Sequence, residues 1–232
     1  MKLNVYLARC GVASRRKADE LIKKGAVQIN ATKVVKPFVE VNPGDCVKVY
    51  GKAVSPEKHV YVALNKPAGY TCTVKDRFAE KKVTELIPES CGRLFPVGRL
   101  DKNSSGLLIL TNDGEFANRL THPRYQVEKE YVVTVSPAFD SRDARTLKAG
   151  ITDEGEILQA ASVKLLKIFQ GRSVVSVVMK EGKKREVRRM FESLGYRIIE
   201  LKRIRVGGIL LGYLKPGGYR ILTEKEKQGV LR

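Results

Sequence analysis

Histidine and cysteine are scarce in this chain, which has two histidines (His59, His122) and four cysteines (Cys10, Cys46, Cys72, Cys91) among 232 residues. The cysteines are scattered and form no C-x-x-C pair, whereas zinc sites and disulfide frameworks need tighter clustering. Ordinary thiols in a reducing compartment are therefore expected, with no metal site. No run of about 18 apolar residues exists to span a bilayer. The opening Met1-Lys2-Leu3-Asn4-Val5 lacks the apolar segment of a secretory signal, so a cytoplasmic location is expected. Several catalytic signatures are also missing: the G-x-x-x-x-G-K-[ST] phosphate loop, the G-x-S-x-G elbow and the H-E-x-x-H helix. The run from Gly207-Gly208 to Gly217-Gly218 lacks dinucleotide-loop spacing, and neither histidine sits beside a plausible nucleophile. No cofactor is expected.

Acidic residues are in short supply too. Against 25 Asp+Glu stand 44 Lys+Arg, a formal net charge of +19, while 43% hydrophobic residues suffice for a real core. Such an excess points to nucleic acid, an anionic membrane or solubility alone. Membrane binding would favour a basic amphipathic helix or a polybasic tail, and neither is present. Residues 1–60 carry 12 basic and 5 acidic residues, a higher charge density than the remainder, so the excess is not evenly spread. Nucleic acid is the expected partner.

The first segment is well punctuated. Leu3, Tyr6 and Leu7 have helical spacing, and Gly11 is placed to end that helix. Ser14 offers an N-cap for a second helix with Ala18, Leu21 and Ile22 on one face and Gly25 as its stop. Val27 and Ile29 alternate as a short strand before Asn30-Ala31, and Asn42-Pro43-Gly44-Asp45 is a turn leading to Val47 and Val49. Arg15, Arg16 and Lys17 in the first turn of the second helix oppose its dipole. They form either a solvated basic face or a seat for an external polyanion. The pattern Leu3-x-x-x-Leu7-Ala8-x-x-Gly11-x-x-Ser14-Arg15-Arg16-x-Ala18, with Gly25-x-Val27-x-Ile29-Asn30, resembles the small S-four-type RNA-binding domain over about residues 1–50. That resemblance favours RNA.

Residues 51–60 are polar and turn-rich and read as a hinge, giving expected domains 1–58 and 59–232. Beyond it, strands are expected at Val60–Leu64, Leu107–Leu110, Tyr131–Val135 and Val174–Met179. Helices are expected at Glu115–Thr121, Ser141–Lys148 and Arg185–Leu194. The elements do not alternate strictly. The fold class is therefore α+β: a small N-terminal α/β module, then a larger domain with a mostly antiparallel mixed sheet flanked by helices.

One polar loop stands out. Asp101 is followed by Asn103, Ser104, Ser105 and Gly106 and then by a run too apolar to be exposed. This places a carboxylate at the mouth of a buried strand, although a surface turn capped by its own aspartate fits the spacing equally well. The stretch Gly98-Arg99-Leu100-Asp101-x-x-Ser104-Ser105-Gly106-Leu107-Leu108 resembles the catalytic motif of RNA pseudouridine synthases, specifically their RsuA/RluB ribosomal RNA branch. Further matches follow in order: Asn65-Lys66-Pro67-Ala68-Gly69, Glu128-Lys129-Glu130-Tyr131, the stretch from Glu181 to Met190, Leu201-Lys202-Arg203, and the closing run from Leu214 to Thr223. The resemblance thus spans essentially the whole chain. It implies that Asp101 is the essential aspartate, that Tyr131 packs on the target base, that Arg188 pairs with the aspartate and that Leu201 floors the pocket. Arg99, Ser104 and Ser105 would complete it. Ser104 stands where the family commonly has Thr, which keeps the hydroxyl, and Arg185-Glu186 resembles the large-subunit version of its motif more than the small-subunit one.

The implied reaction breaks the N-glycosidic bond of uridine, rotates the base and rejoins it through carbon five. It needs no cofactor but does need an ionised carboxylate beside the ribose, as nucleophile or base. Arg188 would favour the charged form by Coulomb attraction. The target must be flipped out of structured RNA, a cost offset by aromatic stacking and phosphate contacts. Residues 180–205 carry 10 basic and 4 acidic residues. There Val187, Met190, Phe191 and Leu194 would face inward, while Lys183, Lys184, Arg185 and Arg189 reach RNA. From the residues alone, Tyr131 reads more readily as a core aromatic of a strand, and Arg188 fits one more phosphate contact; the motif is what assigns them to the site. The expected partner is a ribosomal RNA stem-loop or an assembly particle, met by a monomer. The rival reading is a non-catalytic RNA-binding assembly protein on the same scaffold.

Overall fold

A computed structural model describes residues 1–73 and 80–231. The chain divides into two compact units, Met1–His59 and Val60–Arg232. In the first, helices α1 (Leu3–Arg9) and α2 (Arg15–Lys23) accompany a small antiparallel sheet. Its strands are β1 (Val27–Ile29), β2 (Thr32–Val34), β3 (Val47–Val49) and β4 (Lys52–Ala53), in the order β2-β1-β3-β4. The Ser14 side chain accepts the Lys17 N–H at the start of α2. Gly11 and Gly25 follow the two helices at φ +69°, where a side chain would be strained. Leu3, Leu7, Ala18, Ile22, Val27 and Val47 form a core belonging to this unit alone.

In the second unit, nine strands form one sheet among the described residues. They are β5 (Tyr61–Lys66), β6 (Phe95–Val97), β7 (Ser105–Thr111), β8 (Lys129–Ser136), β11 (Ser162–Phe169), β12 (Arg172–Met179), β13 (Arg197–Val206), β14 (Ile209–Leu210) and β15 (Tyr219–Ile221). A separate hairpin joins β9 (Ile151–Asp153) to β10 (Glu156–Leu158), and the helices are α3 (Gly114–Thr121), α4 (Asp143–Ala149), α5 (Glu186–Glu192) and α6 (Glu224–Gln228). The main path runs β11-β12-β8-β13-β7-β5-β15, with β6 and β14 pairing to β7 and β13. No helix among the described residues is long and apolar enough to cross a membrane.

Strands β5 and β7 are buried on both faces. Val62, Leu64, Leu108 and Leu110 pack to one side, and Ala63, Leu107 and Ile109 to the other. This explains the unbroken apolar run at 107–110. Strands β8 and β12 instead bury one face, through Val133, Val135, Val175 and Val177, onto which α5 packs Val187, Met190 and Phe191.

Between these halves the strand β13 runs parallel to β7, the sheet's strands otherwise pairing antiparallel among the described residues, and here Lys202 faces Ser105 and Arg203 faces Gly106. Gly106 has φ +103°, and a Cβ built there would lie 2.2 Å from the Arg203 carbonyl oxygen. Backbone on the neighbouring strand cannot yield as a flexible side chain would. Gly106→Ala is therefore expected to lower unfolding stability by about 3 kcal/mol or more, combining strained dihedrals with overpacking. Urea denaturation would measure it, and a loss below about 1 kcal/mol would contradict this close approach.

Candidate active site

Asp101 sits in the turn preceding β7, its carbonyl accepting the Ser104 N–H at 3.0 Å. That turn is held from below by Lys66, the last residue of β5, which is completely buried. Its ammonium donates to the carbonyls of Pro67 (3.0 Å), Lys102 (3.3 Å) and Ser104 (2.7 Å). Burial pulls the Lys66 ammonium below the usual lysine range, while nearby Cys72 and Asp101 act the other way. Two further bonds tie down the same loop: Gly69 N–H donates to the Lys102 carbonyl at 2.7 Å, and Leu100 N–H to the Cys72 sulfur at 3.3 Å.

Across the cleft, α5 presents Arg188. Its Nη2 donates to the Asn103 carbonyl and the Ser104 hydroxyl, both at 3.2 Å. Its Nε lies 3.7 Å from Asp101 Oδ2, an ion pair too long for a hydrogen bond. The Arg188 side chain is 11% exposed and that of Asp101 42%. Burial and nearby Arg185 lower the affinity of Arg188 for its proton, and Asp101 opposes them. An arginine remains cationic under this pressure.

These groups open onto a cavity of about 530 Å³. Asp101, Arg188, Tyr131, Leu201, Arg99 and Ser104 all line it, as do Lys183 and Arg185. Tyr131 on β8 is half-buried, and its β13 neighbour in register is Arg203. Ser105 and Lys184 are not among the lining residues. Arg15, Arg16 and Lys17 are exposed on the first turn of α2, in the N-terminal unit.

Arg189 corrects the expectation that it reaches outward toward RNA. Its side chain is 13% exposed and pairs with Asp153, Glu154 and Glu156, fastening α5 to the β9–β10 hairpin. A guanidinium committed to three carboxylates is not a free phosphate ligand. Leu194, expected to face inward, is partly buried against the core.

Four residues the sequence reasoning did not single out also matter here. Lys66 and Arg203 lay inside quoted motifs without assigned roles. Arg203 is 6% exposed and donates from Nε to the Leu107 carbonyl at 2.7 Å. Lys129 and Glu186 line the cavity as well. The signal for Lys66 was a lysine closing the apolar run Val62-Ala63-Leu64, and for Glu186 an acid placed three residues after Lys183, whose N–H it accepts at 3.0 Å. Among the described residues the cavity carries seven basic side chains against Asp101, Glu181 and Glu186. A carboxylate set against a guanidinium at the head of so basic a cleft suits an enzyme acting on a polyanion.

The comparisons agree with that class. Residues 60–193 match the family model described as RNA pseudouridylate synthase, and residues 1–47 match the S4 domain. The chain is 41% identical over 227 residues to the Ribosomal large subunit pseudouridine synthase B of Bacillus subtilis, covering 97% of this chain and 93% of that one. It is 35% identical to the Dual-specificity RNA pseudouridine synthase RluF of Escherichia coli, covering 97% and 77%. A solved structure described as a pseudouridylate synthase superposes with a TM-score of 0.70 at 29% identity, over 99% of both chains. The chain belongs to the RNA pseudouridylate synthase family.

Proposed function

We propose that this protein isomerises a stem-loop uridine of ribosomal RNA, in the large subunit, acting as a cytoplasmic monomer. The observation that carries the proposal is the Asp101–Arg188 pair at the head of a basic cavity lined by Tyr131. In this reading Asp101 acts on the ribose, as nucleophile at C1′ or base at C2′, and the Arg188 guanidinium 3.7 Å away keeps it aimed. Tyr131 stacks on the flipped base and Leu201 forms the apolar floor. Arg99, Lys183 and Arg185 take phosphates at the rim, and Ser104 and Ser105 hold the aspartate turn. The 41% identity to a relative named for the large ribosomal subunit supports that choice of substrate. Mapping pseudouridine in ribosomal RNA from cells lacking the protein tests it: one or a few large-subunit sites should revert to uridine. An unchanged map would refute the proposal.

Arg15, Arg16 and Lys17 provide a second RNA contact. The second unit has its own cores, so deleting residues 1–58 should leave a cooperative folded domain with RNA affinity reduced about tenfold or more. Filter binding across a salt series measures this. Equal affinity and an equal salt slope would remove the N-terminal unit from recognition.

A further inference from the structure

Three cations of the cavity sit deep enough to matter to its chemistry: Arg188 and Arg203, whose side chains are nearly enclosed, and Lys129, which is half-buried. Arg188 is engaged by Asn103, Ser104 and Asp101, and Arg203 by the Leu107 carbonyl. Lys129 differs. It is half-buried on β8 and lines the cavity, yet its ammonium makes no hydrogen bond or ion pair among the described residues. Sheet periodicity puts Lys129 on the same face as Tyr131, two residues and about 7 Å along the strand. Charges face it from each neighbouring element: Arg203 on β13, Glu186 on α5, and Glu181 just beyond β12. Burial and Arg203 pull its proton affinity down, and the two glutamates restore part of it.

A half-buried cation with no fixed partner, set on the wall of a cavity, is free to meet a negative charge that forms there. The reaction supplies one. When the C1′–N1 bond breaks, its electron pair leaves with N1 and spreads over O2 and O4 of the detached uracil. The ribose is meanwhile captured at C1′ by Asp101, or yields its C2′ proton to Asp101. Both routes produce a uracil anion beside Tyr131. We infer that Lys129 is a catalytic residue whose ammonium donates to a carbonyl oxygen of that anion, stabilising it until it rotates and carbon five bonds to C1′. That bond expels the Asp101 carboxylate, or C2′ takes its proton back from Asp101. The C5 proton is then lost to water while N1 gains one, so the sum is an isomerisation. Glu186 and Glu181 act in favour of the charged form of Lys129.

This inference rests on the proposed function, so the assay includes wild-type protein and Asp101→Asn on the same RNA. Inactive wild-type protein would count against the function itself. Given active wild type, Lys129→Met should slow single-turnover conversion about 10²-fold at saturating enzyme, with RNA affinity within about threefold of wild type. Lys129→Arg should recover at least about tenfold of that loss. Placing 5-fluorouridine at the target gives a less basic departing base, so the deficit of Lys129→Met should shrink. Lys129→Gln carries the same expectations if the Met variant folds poorly. An unchanged chemical rate, a loss confined to RNA affinity, or equal deficits on both substrates would overturn the assignment.

Discussion

Asp101→Asn is expected to abolish tritium release from carbon five of the target uridine, lowering turnover by at least about 10⁴-fold while the protein stays folded and RNA-bound. The two halves of that statement have separate physical origins. Among the described residues the carboxylate is the one acidic group paired with Arg188 at the head of the cavity, so either chemical route loses its reacting atom. Stability, in contrast, owes little to it. The side chain is 42% exposed and its ion pair is 3.7 Å long, so solvent screens the attraction to about 1 kcal/mol or less. The neutral amide keeps the shape, and the turn is closed by the backbone bond from Ser104. Turnover within tenfold of wild type would refute Asp101 as the reacting group.

Lys66→Met should lose both stability and activity, for a reason the aspartate variant does not share. The ammonium satisfies three carbonyls, that of Ser104 through a fully buried bond, and methionine fills the space without a donor. The Lys102 carbonyl keeps its bond from the Gly69 N–H, so the carbonyls of Pro67 and Ser104 lose their ammonium partner, at about 1–3 kcal/mol each, partly offset by removal of a buried charge. A net loss of about 3 kcal/mol is expected in urea denaturation. The turn carrying Asp101 would then relax, and a displacement of about 1 Å is enough to slow the chemical step about 10²-fold. Single-turnover rates measured well below the melting temperature separate these effects. A stable variant with a wild-type rate would show that the turn holds itself.

What was legible in the sequence was local. Ser14 as an N-cap and Gly11 and Gly25 as stops act within a few residues of themselves, and the structure has them in those roles. The run at 107–110 was legible because burial on both faces leaves no polar position. The sequence from 180 to 205 was harder. As a string it reads as one basic stretch of net +6, but it folds into a loop, helix α5 and strand β13. Several of its cations are spent internally: Arg189 on the β9–β10 hairpin, Arg203 on Leu107, and Arg205 on Glu128 and Glu130. Partners more than 30 residues away decide which charges face solvent, and no window of sequence carries that. Lys129 was obscure for the same cause, since its significance lies in the partners it lacks.

The parallel seam between β7 and β13 has a consequence for how activity appears as the chain folds. Lys202 must find Ser105 across almost a hundred residues, and such distant closures come late because their entropy is met only when much else is in place. Asp101 lies just before one strand of that seam, while Arg203 and Leu201 lie on the other. On the RNA contact proposed above for the N-terminal unit, a partly folded chain already attracts RNA while its cleft is still unassembled. Nascent protein would hold its substrate before it could alter it.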